Sequence, residues 1–245
     1  MRALNSLGNI ASDRGNFDEA DTSYGRAASI AVRIDDPEYL GRTLNNRGTV
    51  AQSRGDLDAA AHLYREALDA ARRSDNLADQ CYALINLGEV AVGLNHLEEA
   101  EALLAKGLTL AHECGDRLAE ATVLNTSGWV ALRRTEPREA LDRSSRAAHM
   151  FHELGDNIDI LIALGRLALA SHQVGDFDHA ILLLSAERAL RVGFAYGPSP
   201  HHDELVAVEA ELRFSLGRSF EEIEERAESM TLEQVMQHIR PTGLE

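Results

Sequence analysis

Leu44-Asn45-Asn46-Arg47-Gly48 has a counterpart 40 residues earlier, Leu4-Asn5-Ser6-Leu7-Gly8. Two more follow at the same interval, Leu84-Ile85-Asn86-Leu87-Gly88 and Leu124-Asn125-Thr126-Ser127-Gly128. Twelve residues after each glycine stands an alanine: Ala20, Ala60, Ala100 and Ala140. A fifth copy carries Ala168 in the glycine slot and Ala180 in the alanine slot. A fixed period of this size marks a stack of repeats rather than one globular core.

Inside each copy the apolar residues recur at helical spacing, as in Leu4, Leu7, Ile10 and Ala11. A breaker follows: Gly15-Asn16, Gly55-Asp56, Asn95-His96, Thr135-Glu136-Pro137 and Gly175-Asp176. Glycine and asparagine end a helix in the left-handed conformation, and Asn or Asp caps the next one. The second helices then run over stretches such as Leu57 to Arg73 and Phe177 to Val192. Each copy is therefore an antiparallel helical hairpin, and the chain is all-α. The glycine slot is expected to face the alanine slot across the hairpin, so that the backbones approach closely. Ala27, Ala67, Gly107 and Ala147 are expected to serve the contact with the next hairpin. Between these slots Tyr24, Tyr64, Leu104 and Leu184 supply bulk, and Ser144 breaks the rule. The fourth hairpin is expected to be the loosest.

Leu7-Gly8, Ala20, Tyr24 and Ala27 together resemble the tetratricopeptide signature, whose unit is about 34 residues with small residues in those slots. The resemblance covers residues 1–192 in five 40-residue copies. It implies a right-handed superhelix of stacked hairpins, a tetratricopeptide-like solenoid, with residues 193–202 as a linker and 203–245 as a C-terminal helical cap. The longer unit is similar to the repeats of polarity adaptors, kinesin light chains and bacterial signal-transducing ATPases. Leu182 to Leu190, Leu212 to Gly217 and Met230 to Val235 resemble the end of the repeat domain in actinobacterial LuxR-type regulators. That family usually has a tryptophan shortly before the last helix, where this chain has Glu224 and Glu225. The implied function is a regulatory repeat domain that binds a peptide, a protein or a small-molecule inducer for an ATPase-type transcriptional regulator. A free-standing adaptor is the alternative. Met1 already stands in a helical pattern with no cap before it, which reads as a domain cut from a longer protein.

Composition narrows the partners. A formal charge of −16 opposes non-specific nucleic-acid binding, which needs Lys and Arg against phosphates, and opposes an anionic membrane surface. Lys106 is the only lysine among 24 basic residues, a bias typical of high-GC bacterial sequences. Cys81 and Cys114 match no zinc spacing and no disulfide framework. No signal peptide or membrane-length apolar run is visible, so a cytoplasmic location is expected.

No catalytic constellation is legible: the chain has no phosphate-cradling Gly-Lys-Ser/Thr loop, no HExxH and no nucleophile elbow. No cofactor is expected. His201-His202 with Asp203 and Glu204 could hold a metal, but tandem histidines without spaced partners make a poor site; the reading is a loop and a helix cap. No metal is expected.

By the tetratricopeptide resemblance, the binding surface is a concave groove lined by the first helix of each hairpin. The positions that fall there are Asn5, Asn9, Arg42, Asn45, Thr49, Gln52, Tyr82, Ile85, Glu89, Asn125, Trp129, Arg133, His172 and Gln173. Asn5, Asn45 and Asn125 form a ladder, one rung per hairpin, that could bracket the backbone of an extended peptide, since an amide side chain both donates and accepts. The other reading has them bonding neighbouring helices. Trp129, the one tryptophan, is either an aromatic anchor in the groove, with Tyr82 and Ile85 extending its patch, or a plug between hairpins.

Overall fold

The computed structural model describes residues 1–194 and 201–239, so most of the Gly/Pro-rich segment after Val192 lies outside the described residues. Among the described residues there are thirteen α-helices and no strand. They pair in chain order: α1 (Arg2–Asp13) with α2 (Phe17–Arg33), α3 (Pro37–Ser53) with α4 (Leu57–Arg73), and α5 (Leu77–Gly93) with α6 (Leu97–Cys114). Then come α7 (Arg117–Arg133) and α8 (Pro137–Leu154), followed by α9 (Asn157–Gln173) and α10 (Phe177–Gly193). The second helices begin at residues 17, 57, 97, 137 and 177, in strict 40-residue register. Three C-terminal helices follow: α11 (His202–Leu216), α12 (Arg218–Glu228) and α13 (Leu232–His238). Stacked hairpins of this kind are a tetratricopeptide-like solenoid fold. The chain divides into two compact units, Met1–Glu120 and Ala121–Glu245.

The breakers act as their composition dictates. Gly15, Gly55, Asn95, Thr135 and Gly175 occupy one slot, and all five have φ between 59° and 82°. Asp35, Asp75, Gly115 and Gly155 hold the corresponding slot between hairpins, with φ between 52° and 74°. The residue after the left-handed one often caps the next helix. Asp56 accepts from the Ala59 amide at 3.0 Å, Asn76 from Asp79 at 3.0 Å, and Asp116 from Ala119 at 3.0 Å. Such caps contribute about 1 kcal/mol each, which matters for helices of four to five turns joined by short turns. Thr231 opens α13 with a capping box to Gln234. Ser219-Phe220-Glu221-Glu222 forms no such box, because α12 already starts at Arg218, with Gly217 as its uncapped N-cap.

Packing refines the small-residue slots. A Cβ on Gly48 would lie 2.5 to 2.9 Å from three ring carbons of Tyr64, and Gly8 stands in the same relation to Tyr24. For Gly88 the obstruction is Leu104, at 2.8 and 2.9 Å, with the Ala100 carbonyl farther away at 3.7 Å. The glycine therefore makes room chiefly for the bulky residue sixteen positions on, and only secondarily for the alanine. At Ala67 and Gly107 the close approach inside the hairpin is made by backbone: Gly41 packs on the Ala67 carbonyl, and the Cys81 thiol lies 3.2 Å from the Gly107 carbonyl. Burial pushes the Cys81 thiol up to about 11, leaving it an inert packing group.

Ser144 occupies the bulky slot of the fourth hairpin, wholly buried beside Gly128, and its hydroxyl has no hydrogen-bond partner. A buried hydroxyl left unsatisfied costs about 1–3 kcal/mol. Ser144→Ala is therefore expected to raise stability by about 1 kcal/mol, seen as a higher urea midpoint at unchanged m-value. A lower midpoint would show that the hydroxyl is satisfied in solution.

The C-terminal helices fold back on the last hairpin through a charged knot. Arg188 of α10 reaches Glu209 of α11 at 2.5 Å, and Glu224 and Glu228 of α12 at 2.6 and 2.7 Å. Arg213 joins Glu209 and Glu224 and lies 4.3 Å above the buried Phe220 ring. Partial burial works against the charge on Arg188, but these carboxylates outweigh it and hold its pKa above the ordinary arginine value.

Candidate functional site

The first-helix positions separate into two sets, one in each unit. In the first unit the amide ladder closes on itself. Asn46 donates from Nδ2 to Asn5 Oδ1 at 3.2 Å, and Asn86 donates to Asn45 Oδ1 at 2.9 Å. One asparagine per hairpin thus clamps the first helix of the previous hairpin. The Tyr24 hydroxyl donates to Asn9 Oδ1 at 2.7 Å, and the Tyr64 hydroxyl donates to Gln52 at 2.9 Å with Thr49 also in reach. Arg42 is held between Glu38 and Asp79. Tyr82 donates to Asp116 at 3.1 Å, and Glu89 is half-buried and engaged. Ile85 is 1% exposed and belongs to the core, not to a groove patch. This set keeps polar edges toward solvent, but its amide acceptors are already occupied.

The second unit differs because one residue breaks the amide pattern. The slot held by Asn46 and Asn86 is filled in the fifth hairpin by Arg166, which is 2% exposed. Arg166 turns away from the ladder. Its Nε donates to Nε2 of His201 at 3.0 Å, and its guanidinium carbon lies 5.3 Å from the centre of the Trp129 ring. His201 meets that indole edge-on at 4.8 Å between ring centres. Burial together with the charges of Arg166 and Arg133 lowers the His201 pKa to about 3, so the imidazole is neutral and its Nε2 is free to accept.

Asn125 loses its rung as a result: it is 4% exposed and its Oδ1 has no partner. One turn along α7, the Trp129 Nε1–H is also buried and unpartnered. Two orphaned polar atoms on one helix face cost about 1–3 kcal/mol each. Beside Trp129 opens a cleft of about 430 Å³ between α7, α9 and α11. It is lined by Trp129, Leu132 and Arg133, by Leu169, His172 and Gln173, and by Glu204, Ala207 and Val208 of α11. Four of the expected groove residues therefore converge, with Trp129 neither open groove nor plain core but half-covered by His201.

His201, expected in a loop, is the buried residue before α11, and its Nε2 accepts from Arg166. Among the described residues no cluster of three or more His, Cys, Asp or Glu side chains could hold a metal, and no helix is long and apolar enough to cross a membrane. The roles of Arg166, His201, Glu204 and Glu211 were missed in the sequence. The one available signal was Arg166 itself, a long cation in a slot that two other hairpins fill with asparagine.

Residues 1–73 match a family model described as tetratricopeptide repeat. That match supports a tetratricopeptide repeat domain, and the solved structures extend the fold along the rest of the chain. A Rap protein complexed with competence and sporulation factor superposes with a TM-score of 0.73 at 15% identity, over 91% of this chain. The chain spans 61% of that Rap protein. BtubC (BKLC) from P. vanneervenii gives 0.62 at 21% identity, with 80% of this chain and 82% of that one covered. The Rap conjugation gene regulator of plasmid pLS20, in complex with the Phr* peptide, gives 0.51 at 16% identity, covering 99% and 76%. At these identities the likeness is one of fold. No curated protein matches.

Proposed function

We propose that this chain is a non-catalytic binding domain that holds a peptide or protein segment against its first helices, with the cleft beside Trp129 as the anchoring point. The observation that carries this reading is Trp129, with its unpartnered indole N–H, in the wall of a cleft of about 430 Å³ that also gathers Arg133, His172 and Gln173. Pockets that combine apolar walls with a few convergent polar groups are the usual form of a binding site. Two structural neighbours in complex with a factor or a peptide, both Rap proteins, lend the reading support from fold analogy alone. The parent is proposed to be a cytoplasmic bacterial transcriptional regulator of the signal-transducing ATPase class, on the resemblance of its last helices. Regulation would then follow from a ligand that binds two states of the parent with different affinity. A small-molecule inducer in the same cleft is the variant of this proposal that its size also admits.

The test is selection of a displayed random dodecapeptide library on the purified chain, followed by calorimetric titration of the enriched peptides. Trp129→Ala is expected to weaken binding about 10- to 100-fold, as truncation of a central aromatic anchor does, with helicity unchanged. Arg133→Ala is expected to weaken it less. Enriched peptides indifferent to both substitutions would sink the cleft as the anchoring point.

A further inference from the structure

Helix α11 has two faces with different partners. Toward α10 it offers Glu209 in the Arg188–Arg213 knot, and Leu205 and Leu212 are the only two of its fifteen residues that are buried. Toward α7 and α9 it offers Glu204, Ala207, Val208 and Glu211. Glu204 lies 3.6 Å from Arg133, and Glu211 lies 3.2 Å from His172. The two carboxylates stand seven residues apart, two turns of one helix, and each meets a basic side chain on a different hairpin. Both pairs are solvent-exposed on the carboxylate side and hold the helix weakly.

The fit is also incomplete. Between the two carboxylates α11 presents only Ala207 and Val208 to the apolar wall of Trp129, Leu132 and Leu169, and the cleft remains open there. The indole N–H stays unpartnered. A helix evolved only to seal this face would fill that space.

We infer that α11 is a displaceable, built-in occupant of the α7–α9 face, and that the face receives in its place an acidic amphipathic helix from a partner protein. The inference rests on the first-helix face being a binding surface. The partner helix carries two carboxylates seven residues apart for Arg133 and His172, with a larger apolar side chain between them. Charge complementarity is supplied by Arg133, His172 adds a ring nitrogen within hydrogen-bond reach of a carboxylate, and α11 itself shows that the surface accepts a helix of this kind. A tethered occupant competes at an effective concentration on the order of millimolar. A partner must therefore win through contacts α11 lacks, which are the filled cleft and an acceptor for the indole.

The probe is a fluorescein-labelled peptide with the sequence of residues 201–216 carrying Ala207→Leu, titrated by anisotropy against the full chain. In Glu204→Arg/Glu211→Arg, α11 is repelled from Arg133 and loses its carboxylate against His172, by exposed substitutions that leave the core untouched. This variant is expected to bind the peptide at least about tenfold more tightly than the unmodified chain. Its Trp129 should be quenched more readily by acrylamide, and adding Arg133→Ala should abolish the gain. In the unmodified chain, hydrogen exchange of α11 amides should be at least about tenfold faster than that of α9 amides. Equal protection of α11 and α9 overturns displacement, and library-selected peptides that still bind then show that the cleft reading survives alone. Fast exchange of α11 with no gain in peptide binding overturns the acidic-helix partner. If library selection then also yields nothing, the binding-surface reading falls with it.

Discussion

Gly48→Leu is expected to lower the stability of the first unit by about 3 kcal/mol or more, at the upper end of what overpacking costs in a closed core. The reason is local and visible. Even a methyl group on Gly48 would sit 2.5 to 2.9 Å from the Tyr64 ring, and that ring is 1% exposed within a cluster containing Ala60, Leu84, Leu87 and Val90. The ring cannot retreat cheaply, because its hydroxyl is tied to Gln52 at 2.9 Å. Burial pushes that hydroxyl's pKa above the usual tyrosine range, so ionisation offers no escape at ordinary pH. For a chain of this size the loss corresponds to a melting point about 6–12 °C lower. The decisive control is a cycle. Tyr64→Ala alone should destabilise, yet Gly48→Leu/Tyr64→Ala should be more stable than the sum of the single changes predicts, since the leucine then enters the vacated space. Strict additivity would mean that the two slots do not oppose each other. Gly88→Leu is subject to the same logic against Leu104, a flexible side chain that can give way more easily than a ring.

That glycine frame is also the reason the fold was readable from the sequence. A repeat states its packing rule several times, so Gly8, Gly48, Gly88 and Gly128 identify the close approach even though no single glycine would. The second-helix starts followed, because Gly-Asn and Gly-Asp end one helix and open the next by backbone preference alone. What opposes what was less legible. Spacing alone could not say whether Gly48 makes room for Ala60 or Tyr64, since both choices share one helix face. The site was legible where it obeyed the frame and hidden where it departed from it. The asparagine rungs were visible, but their choice between ligand and neighbour depends on an amide in the following hairpin, Asn46 or Asn86. Arg166, His201, Glu204 and Glu211 meet through contacts between residues 35 or more apart, joined across a segment with no periodicity. Ile85 shows the opposite error: an apolar residue assigned to a groove by slot was core by burial.

Acid should loosen the C-terminal helices long before the carboxylates titrate. In the folded chain His201 stays neutral down to about pH 3, because burial and the neighbouring Arg166 and Arg133 oppose a third positive charge. An exposed imidazole takes its proton near pH 6.5. Below that value the undocked state binds a proton that the docked state refuses, so stability rises with pH across this range and is fully present only above it. At pH 5 the difference amounts to roughly 2 kcal/mol, from about 1.5 pH units at 1.36 kcal/mol each. The geometry agrees with the sign: His201 Nε2 accepts from Arg166, and a proton there would set N–H against N–H. Urea titrations followed by Trp129 emission at pH 7.5 and 5.0 should show the loss directly, since the indole packs edge-on against this imidazole. His201→Gln keeps an acceptor for Arg166 but cannot titrate, and it should remove about 2 kcal/mol of the difference between the two pH values. An unchanged pH dependence in that variant would place the sensitive group elsewhere. A flattened one would make this imidazole the acid-sensitive fastening of α11, on the same face where Glu204 and Glu211 meet Arg133 and His172.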